Sequence, residues 1–325
     1  MRISRLALLL SALLLVQACF SRQGKTSLEG EVRKFPVTRV PEMLSSPQEQ
    51  FEYLVMHYWD AFTDTAGRGF RMDSLHIDGV DRDAVEKEVG TYSTLLRQLP
   101  IQTARGCLEH LAERLICKET ACPSSNAFEQ LRPFIDSYVN DPNSPVRYEE
   151  AYRGYALAMA ECPLLDEVVR GLYARQASLA LLNATGTVAS DFTFIDLKGR
   201  TRSLHSLRSP LTLLVFGNPV CTACKELTEA LSIPFTEELI KSGKLLVVDV
   251  YIDEDIDTLF SSAKDFPTDW TIGYDPYGIL RGDSLYYIRA IPSMYLLGPD
   301  KTVILRDTTT EGIIGYLEQT QNQQI

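Results

Sequence analysis

The amino-acid sequence predicts an all-α domain followed by a mixed α/β domain. The chain has 325 residues, which is long enough for two domains. Apolar residues recur at helical spacing from Gln48 to Leu182, whereas short apolar strands alternate with helices after Asn183. With 45% hydrophobic and 23% charged residues, the composition is that of a folded globular protein. These observations predict two folded halves of different structural class.

The first residues resemble a secretory signal peptide. Two arginines precede an apolar run at residues 6–16, which is too short to span a hydrocarbon core of about 30 Å. The run ends in Val16-Gln17-Ala18-Cys19, which resembles a bacterial lipobox. This resemblance implies a signal peptide at 1–18, acylation of Cys19, and a polar tether at 19–34. An ordinary signal peptide with an incidental cysteine is the alternative.

Residues 35–182 are predicted to form the helical domain, with five to seven helices. The first helix starts near Pro47, because a helix tolerates the missing N–H of proline at its first position. Its buried stripe comprises Phe51, Leu54, Val55, Tyr58, Trp59 and Phe62. Further stripes lie at 85–96, 104–115, 128–138, 148–159 and 164–182. Aromatic residues at these spacings predict a core rather than a ligand site.

Export would allow the remaining cysteines to form disulfides. Cys107 and Cys117 are ten residues apart on one predicted helix, or about 15 Å, which is too far for a bond. Cys117 could pair with Cys122 at the end of that helix, and Cys122 could equally pair with Cys162. Buried free thiols are a third interpretation, and the sequence leaves these open.

The C-terminal half alternates strands and helices. The predicted strands are Phe192–Leu197, Leu211–Phe216, Leu245–Ile252, Ser293–Leu297 and Val303–Asp307, with helices at 224–240, 256–263 and 311–321. The strand at 211–216 is almost entirely apolar, which is typical of a central strand covered on both faces. Pro234 predicts a kink or break in the helix that follows it. The pattern predicts a mixed central sheet with flanking helices.

The chemistry of this half is predicted to reside in Cys221-Thr222-Ala223-Cys224. Cys221 follows the central strand and Cys224 lies in the first turn of the next helix. The free amides and positive end of a helix favour a thiolate at the first cysteine of such a pair. Cys221 would attack a partner disulfide, and Cys224 would resolve the mixed disulfide that results.

A second motif, Ala290-Ile291-Pro292-Ser293, opens a strand about seventy residues later. With the cysteine pair and the segment Ala189–Asp196, it makes residues 186–321 resemble the thioredoxin superfamily, particularly the exported TlpA/ResA-like branch. We therefore predict a thioredoxin-like domain at 186–325. The resemblance implies an α/β thioredoxin fold preceded by an all-α domain. It also implies that Pro292 follows a cis peptide bond and that Ile291 faces the cysteines and docks the substrate chain.

The helical half carries a resemblance of its own. Val40-Pro41-Glu42-Met43-Leu44 and His57-Tyr58-Trp59-Asp60 are similar to the uncharacterised helical domain that precedes thioredoxin domains in Bacteroidetes lipoproteins. This similarity implies an architecture and a compartment but no activity.

Four positions depart from the thioredoxin pattern. Val220 replaces the tryptophan that usually precedes the first cysteine, and Thr222-Ala223 replaces Gly-Pro. Val215 stands where thioredoxin has a buried aspartate that relays a proton. Asp249, on the strand Leu245–Ile252, is the nearest acidic candidate. It is either a functional carboxylate or an edge-strand residue that faces water.

Several function classes are excluded by the sequence. A net charge of −11 argues against a nucleic-acid partner. Lys225 stands where a c-type haem site needs histidine, and the four histidines lack the paired spacing of a zinc site. A peroxiredoxin would need a threonine three residues before its cysteine, but Asn218 is there. We therefore expect no cofactor and no metal site.

The sequence thus predicts an exported, membrane-anchored thiol-disulfide oxidoreductase that faces the periplasm or the cell surface. Its expected partners are protein thiols and disulfides of the cell envelope, an unidentified membrane or periplasmic electron donor, and the membrane itself through the lipid anchor. The alternative is a non-catalytic binding or scaffold lipoprotein in which Cys221 and Cys224 form a structural disulfide.

Overall fold

A computed structural model of the chain describes residues 30–66, 69–282 and 285–322. The predicted signal peptide, the lipidation site Cys19 and most of the predicted tether lie outside these residues. Within them, none of the helices combines the length and the apolar character that crossing a bilayer requires.

The chain divides into two compact units. One contains the residues through Gln98 together with Leu111–Ser137, and the other contains Leu99–His110 together with the residues from Tyr138 onwards. The sequence predicts a boundary between two independently folding domains at residues 182–186. A division into compact units does not test independent folding, so this boundary stays a prediction.

The described part of residues 35–182 contains six α-helices, within the predicted range. They are α1 (Pro47–Met56), α2 (Arg82–Leu96), α3 (Ile101–Ala121), α4 (Ala127–Ile135), α5 (Glu149–Ala160) and α6 (Glu167–Leu179). A π-helical turn, Asp136–Asn140, follows α4. The strands β1 (His76–Ile77) and β2 (Val80–Asp81) form a small antiparallel hairpin that helical periodicity did not predict.

Helix α1 is shorter than its apolar stripe suggests. It ends at Met56, and the chain continues in turns through Trp59 and Phe62, which are nevertheless buried. The Thr38 hydroxyl donates to the carbonyl of His57 at 2.8 Å and so satisfies an acceptor at the helix end. Of the predicted stripe, Val55, Trp59 and Phe62 are buried and the other three residues are partly buried, so apolar spacing located the inward side of this segment but not the end of the helix.

The C-terminal half contains a seven-stranded mixed sheet. Its strands are β3 (Thr193–Asp196), β4 (Thr201–Ser203), β5 (Leu211–Gly217), β6 (Leu245–Tyr251), β7 (Thr271–Tyr274), β8 (Ser293–Leu297) and β9 (Val303–Arg306). Its helices are α7 (Thr222–Leu231), α8 (Pro234–Lys241), α9 (Ile256–Ser261) and α10 (Thr310–Asn322). The order is β4-β3-β7-β6-β5-β8-β9, with β5, β6 and β7 parallel to one another. The break between α7 and α8 at Pro234 confirms the prediction from that proline.

Strand β5 is covered on both faces. Leu213 and Val215 lie in an apolar cluster with side chains of α7, α8 and α10. Leu214 and Phe216 point to the opposite face and lie in a second apolar cluster, which includes residues of β3. Because successive side chains of a strand alternate between faces, a strand covered on both sides must be apolar throughout. This burial holds the carboxyl end of β5, where Cys221 follows, in a fixed position.

Candidate functional site

A short turn carries the chain from β5 to Cys221. The Asn218 side chain accepts a hydrogen bond from the N–H of Val220 at 2.9 Å, and its carbonyl accepts one from the N–H of Cys221 at 3.1 Å. The Asn218 amide also donates to the Asp253 carboxylate. Val220, which stands where the family usually has tryptophan, is 63% exposed. These hydrogen bonds fix the conformation of the turn, and the Val220 side chain at its tip faces solvent.

Cys221 is the N-cap residue of α7. Its Sγ accepts a hydrogen bond from the N–H of Cys224 at 3.3 Å, the position that a capping side chain occupies. Cys221 is partly exposed, whereas Cys224 is only 8% exposed. Burial raises the pKa of the Cys224 thiol well above its usual range, and the hydrogen bond with Cys221 raises it further. The pair thus consists of an accessible sulfur and a buried one that holds its proton.

The second motif lies against the first sulfur. The peptide bond between Ile291 and Pro292 is cis, as the resemblance implies. The Cys221 thiol lies 3.7 Å from the carbonyl oxygen of Ile291, a contact between residues seventy positions apart in sequence. The structure therefore brings together the predicted catalytic pair and the predicted substrate-binding residues.

Asp249 is buried beside the cysteine helix. Strand β6 is interior to the sheet, and Asp249 is 7% exposed, so an edge position facing water is ruled out. It pairs in register with Val215, and its Oδ1 lies 3.1 Å from where a Cβ on Gly217 would be. Burial raises the pKa of the Asp249 carboxyl to about 7. This carboxyl therefore titrates near neutral pH.

Asp249 and Cys224 line the same cavity. The cavity has a volume of about 320 Å³, and Lys225, Thr228 and Phe266 also lie on its wall. Asp249 lies on the face of β6 that carries Val247 and Tyr251, whose side chains pack with those of α7. A carboxyl on the strand next to β5 is thus on the same side of the sheet as the buried thiol, although Val215 itself carries no acid.

None of the six cysteines in the described residues forms a disulfide. Cys107 and Cys162 are buried, Cys117 is exposed and Cys122 is partly exposed. Of the alternatives that the sequence left open, neither the Cys117–Cys122 nor the Cys122–Cys162 disulfide is present. Cys221 and Cys224 are likewise in the dithiol form.

Two features of the site were missed by sequence reasoning. The segment 142–147, just before α5, lines a groove together with Ile291 and Pro292, and Arg289, which also lines it, donates to the carbonyl of Asn140. The one available signal was the charged residue directly before Ala290-Ile291-Pro292. Residues 142–147 looked like an ordinary proline-rich loop.

The chain is similar to a known protein family and to solved structures. Residues 18–183 match the family described as "Domain of unknown function (DUF5106)". The chain is also similar to the crystal structure of a thioredoxin-like protein from Bacteroides caccae. The identity is 33%, the match covers 88% of this chain and 99% of that one, and the TM-score is 0.77. The chain belongs to the thioredoxin-like proteins with a DUF5106 domain.

Two shorter structures are similar to the thioredoxin-like part. One is the C-terminal domain of an uncharacterised protein from Bacteroides fragilis, at 37% identity over 42% of this chain and 98% of that one, with a TM-score of 0.41. The other is described as a thiol-disulfide oxidoreductase from Bacteroides fragilis, at 23% identity over 41% of this chain and 99% of that one, with a TM-score of 0.37. No match was found among curated proteins.

The comparisons confirm the predicted fold, a mixed thioredoxin-type sheet with flanking helices after a helical region. The DUF5106 match ends at residue 183, shortly before β3, and so includes the loop at 142–147 and helices α5 and α6. Part of the DUF5106 region therefore lies in the same compact unit as Cys221 and Cys224.

Proposed function

We propose that this protein is an exported, lipid-anchored thiol-disulfide oxidoreductase that exchanges disulfides with cell-envelope proteins through Cys221 and Cys224. The observation that carries the proposal is the position of the Cys221 sulfur. It caps a helix, is partly exposed, and lies 3.7 Å from the carbonyl of Ile291 before the cis proline.

The exchange proceeds in two steps. The Cys221 thiolate attacks one sulfur of a substrate disulfide, the substrate S–S bond breaks, and the second substrate sulfur leaves as a thiolate that takes up a proton. Cys224 then loses its proton and attacks the Cys221 sulfur of the mixed disulfide. This releases the first substrate sulfur and leaves the Cys221–Cys224 disulfide. Two electrons pass from the protein dithiol to the substrate, and the reverse sequence oxidises a substrate.

The second step needs an acceptor for the Cys224 proton, because burial raises the pKa of that thiol. We assign this role to Asp249, which lines the same cavity and has a pKa of about 7. A carboxylate that is partly ionised at neutral pH can take up a proton and release it again. Strand β6 would then supply the relay carboxylate that thioredoxin carries at the position of Val215 on β5.

The cysteine variants test the proposal. With a disulfide-linked model peptide, Cys224→Ser is expected to accumulate a mixed disulfide at Cys221, because the resolving sulfur is gone. Cys221→Ser is expected to form none. Non-reducing electrophoresis with mass spectrometry measures both outcomes, and Cys117→Ser, at an exposed cysteine far from this motif in sequence, is the control that should behave as wild type.

The alternative, a scaffold with a structural disulfide, predicts a different result. Its Cys221–Cys224 bond would have a reduction potential below roughly −300 mV and would show no exchange. That outcome, or equal trapping by Cys221→Ser and Cys224→Ser, would exclude the oxidoreductase.

A further inference from the structure

A groove of about 410 Å³ lies beside the cysteine helix. Ile291 and Pro292 line it, and so do four residues of α7 that share one face at spacings of three or four. These are Ala223, Glu226, Leu227 and Ala230. Ala223 lies between the two cysteines in sequence, and Ile291 contacts the Cys221 sulfur. A chain lying in this groove would therefore reach the reactive sulfur.

Five further residues of the groove belong to the segment 141–148, here named the wall loop, which lies within the DUF5106 match: Pro142, Asn143, Ser144, Pro145 and Arg147. The loop is tied by its own hydrogen bonds. The Ser144 hydroxyl donates to the carbonyl of Tyr138 at 2.6 Å, the N–H of Asn143 donates to the Asp141 carboxylate at 2.7 Å, and the N–H of Tyr148 donates to Val139. The wall is thus ordered without a ligand, which lowers the entropy cost of binding one.

An ion-pair cluster fastens the wall loop to the active-site segment. Arg289, directly before Ala290, donates to the carbonyl of Asn140 and lies 3.7 Å from the Glu149 carboxylate. Arg306 of β9 lies 3.4 Å from the other oxygen of Glu149. Burial raises the pKa of the Glu149 carboxyl, and the two arginines oppose that rise. The two residues that flank the wall loop, Asn140 and Glu149, are therefore tied to the segment before β8 and to β9.

The other charged groups of the groove are mostly acidic. Glu226 and Glu311 are exposed, and Asp307 is partly exposed, whereas Arg147 is the further basic group along the groove. Apart from the cluster of Glu149, Arg289 and Arg306, the groove thus has three carboxylates and one guanidinium, an excess of negative charge. Such a rim attracts cations and repels anions over a distance of about 10 Å at moderate salt.

We propose that this groove binds an extended, positively charged segment next to the reacting cysteine of a protein substrate. In this way the wall loop of the DUF5106 region helps to select which disulfides reach Cys221. The inference rests on the proposed oxidoreductase function and adds its substrate class. Such a substrate would carry lysine or arginine within a few residues of its reacting cysteine.

The test uses the reduced protein and two peptides. Each peptide carries one cysteine in a mixed disulfide with a small neutral thiol, and the two differ only in lysine or glutamate at the flanking positions. We expect the lysine peptide to react roughly tenfold faster at low ionic strength, with the difference shrinking as salt is added. Stopped-flow measurement of the released thiol gives both rates.

Variants locate the effect. Glu226→Gln with Glu311→Gln is expected to remove most of the preference, and Asn143→Arg on the exposed part of the wall loop is expected to lower it. The matched control is Glu229→Gln with Glu318→Gln. These are exposed glutamates on the same two helices that do not line the groove, and the preference should persist in this variant.

A neutral disulfide, dipyridyl disulfide, separates the two proposals. If it and both peptides fail to react with Cys221, the oxidoreductase proposal is wrong. If it reacts but the two peptides react at equal rates, or if the groove variants keep the full preference, the groove proposal is overturned and the oxidoreductase proposal stands.

Discussion

Asp249 combines two properties that rarely occur together in a residue with only a structural role. It is 7% exposed, and its carboxyl has a pKa of about 7 because burial disfavours the charged form. The described residues offer it no hydrogen-bonding side chain, and a buried carboxylate without a partner costs stability. An acid kept at such a cost beside a buried thiol is what a proton-transfer step requires.

Asp249→Asn is expected to stabilise the protein at alkaline pH. The pKa of Asp249 is about 7 in the folded chain and 3.8 as its ordinary value. Between these two values the unfolded chain releases a proton that the folded chain keeps, so the free energy of unfolding falls as pH rises. The stabilisation by the neutral carboxyl is complete below pH 3.8 and lost by about pH 7. Asparagine stays neutral, so the variant should exceed wild type by roughly 2–4 kcal/mol at pH 8 and match it at pH 4.

Urea unfolding at the two pH values measures this difference. The same substitution should slow the intramolecular step at Cys224 by tenfold or more near neutral pH, because the proton acceptor is gone. A stability difference that is the same at pH 4 and pH 8 would contradict the assigned titration. If Asp249→Asn resolves the mixed disulfide at the wild-type rate, Asp249 is not the proton acceptor of the exchange.

At the scale of elements, the short strand β7 shows where sequence patterns are weakest. Thr271–Tyr274 has four residues, one of them glycine, so it lacks the alternation that predicts a strand. It nevertheless pairs with β3 on one side and β6 on the other. Its place in the sheet is therefore set by its two neighbours rather than by its own propensity.

Gly273 is the residue that allows this pairing. A Cβ at this position would lie 2.4 Å from Cδ2 of Phe194 and 2.9 Å from the carbonyl oxygen of Ile195. Gly273→Ala is therefore expected to lower the free energy of unfolding by about 2 kcal/mol through overpacking. Chemical denaturation followed by circular dichroism measures the change.

Gly315→Ala is the matched control. Gly315 lies inside α10, and a Cβ there would meet no atom within 4 Å. Because alanine is a better helix former than glycine, this variant should gain up to about 1 kcal/mol. Equal effects of the two substitutions would show that packing against β3 is not what restricts position 273.

At the scale of the whole molecule, the proposed activity depends on where the chain is placed. The apolar run before Val16-Gln17-Ala18-Cys19 is the feature that supports export and acylation. A lipid anchor at Cys19, acylated on both its thiol and its new amino group as the lipobox resemblance implies, would hold the cysteine pair near a membrane surface. Stable anchoring requires more than one chain.

Cys19→Ser is expected to abolish lipid labelling and move the protein from the membrane fraction to the soluble fraction. Growth of an expressing bacterium with a radiolabelled fatty acid, followed by fractionation, measures both effects. Cys117→Ser removes an exposed cysteine elsewhere and should keep the label. Unchanged labelling of Cys19→Ser would show that Cys19 is not acylated.

The sequence by itself determined the properties that are local along the chain. Apolar spacing predicted the helices before residue 183 and the buried strands after it, because each period depends on a single element. The position of Cys221 at the start of a helix followed in the same way, from a buried strand and a turn on one side and a helical segment on the other.

Only the tertiary structure decided which distant groups meet. The contact of Cys221 with Ile291, the burial of Asp249 opposite Val215, and the groove between α7 and the wall loop all depend on strand order and register. These are set by packing over the whole chain, which no single segment encodes. The sequence could therefore identify the cysteine pair and name Asp249 as the nearest acidic candidate, whereas the burial of Asp249 beside Cys224 and the proposed substrate groove could not be read from it.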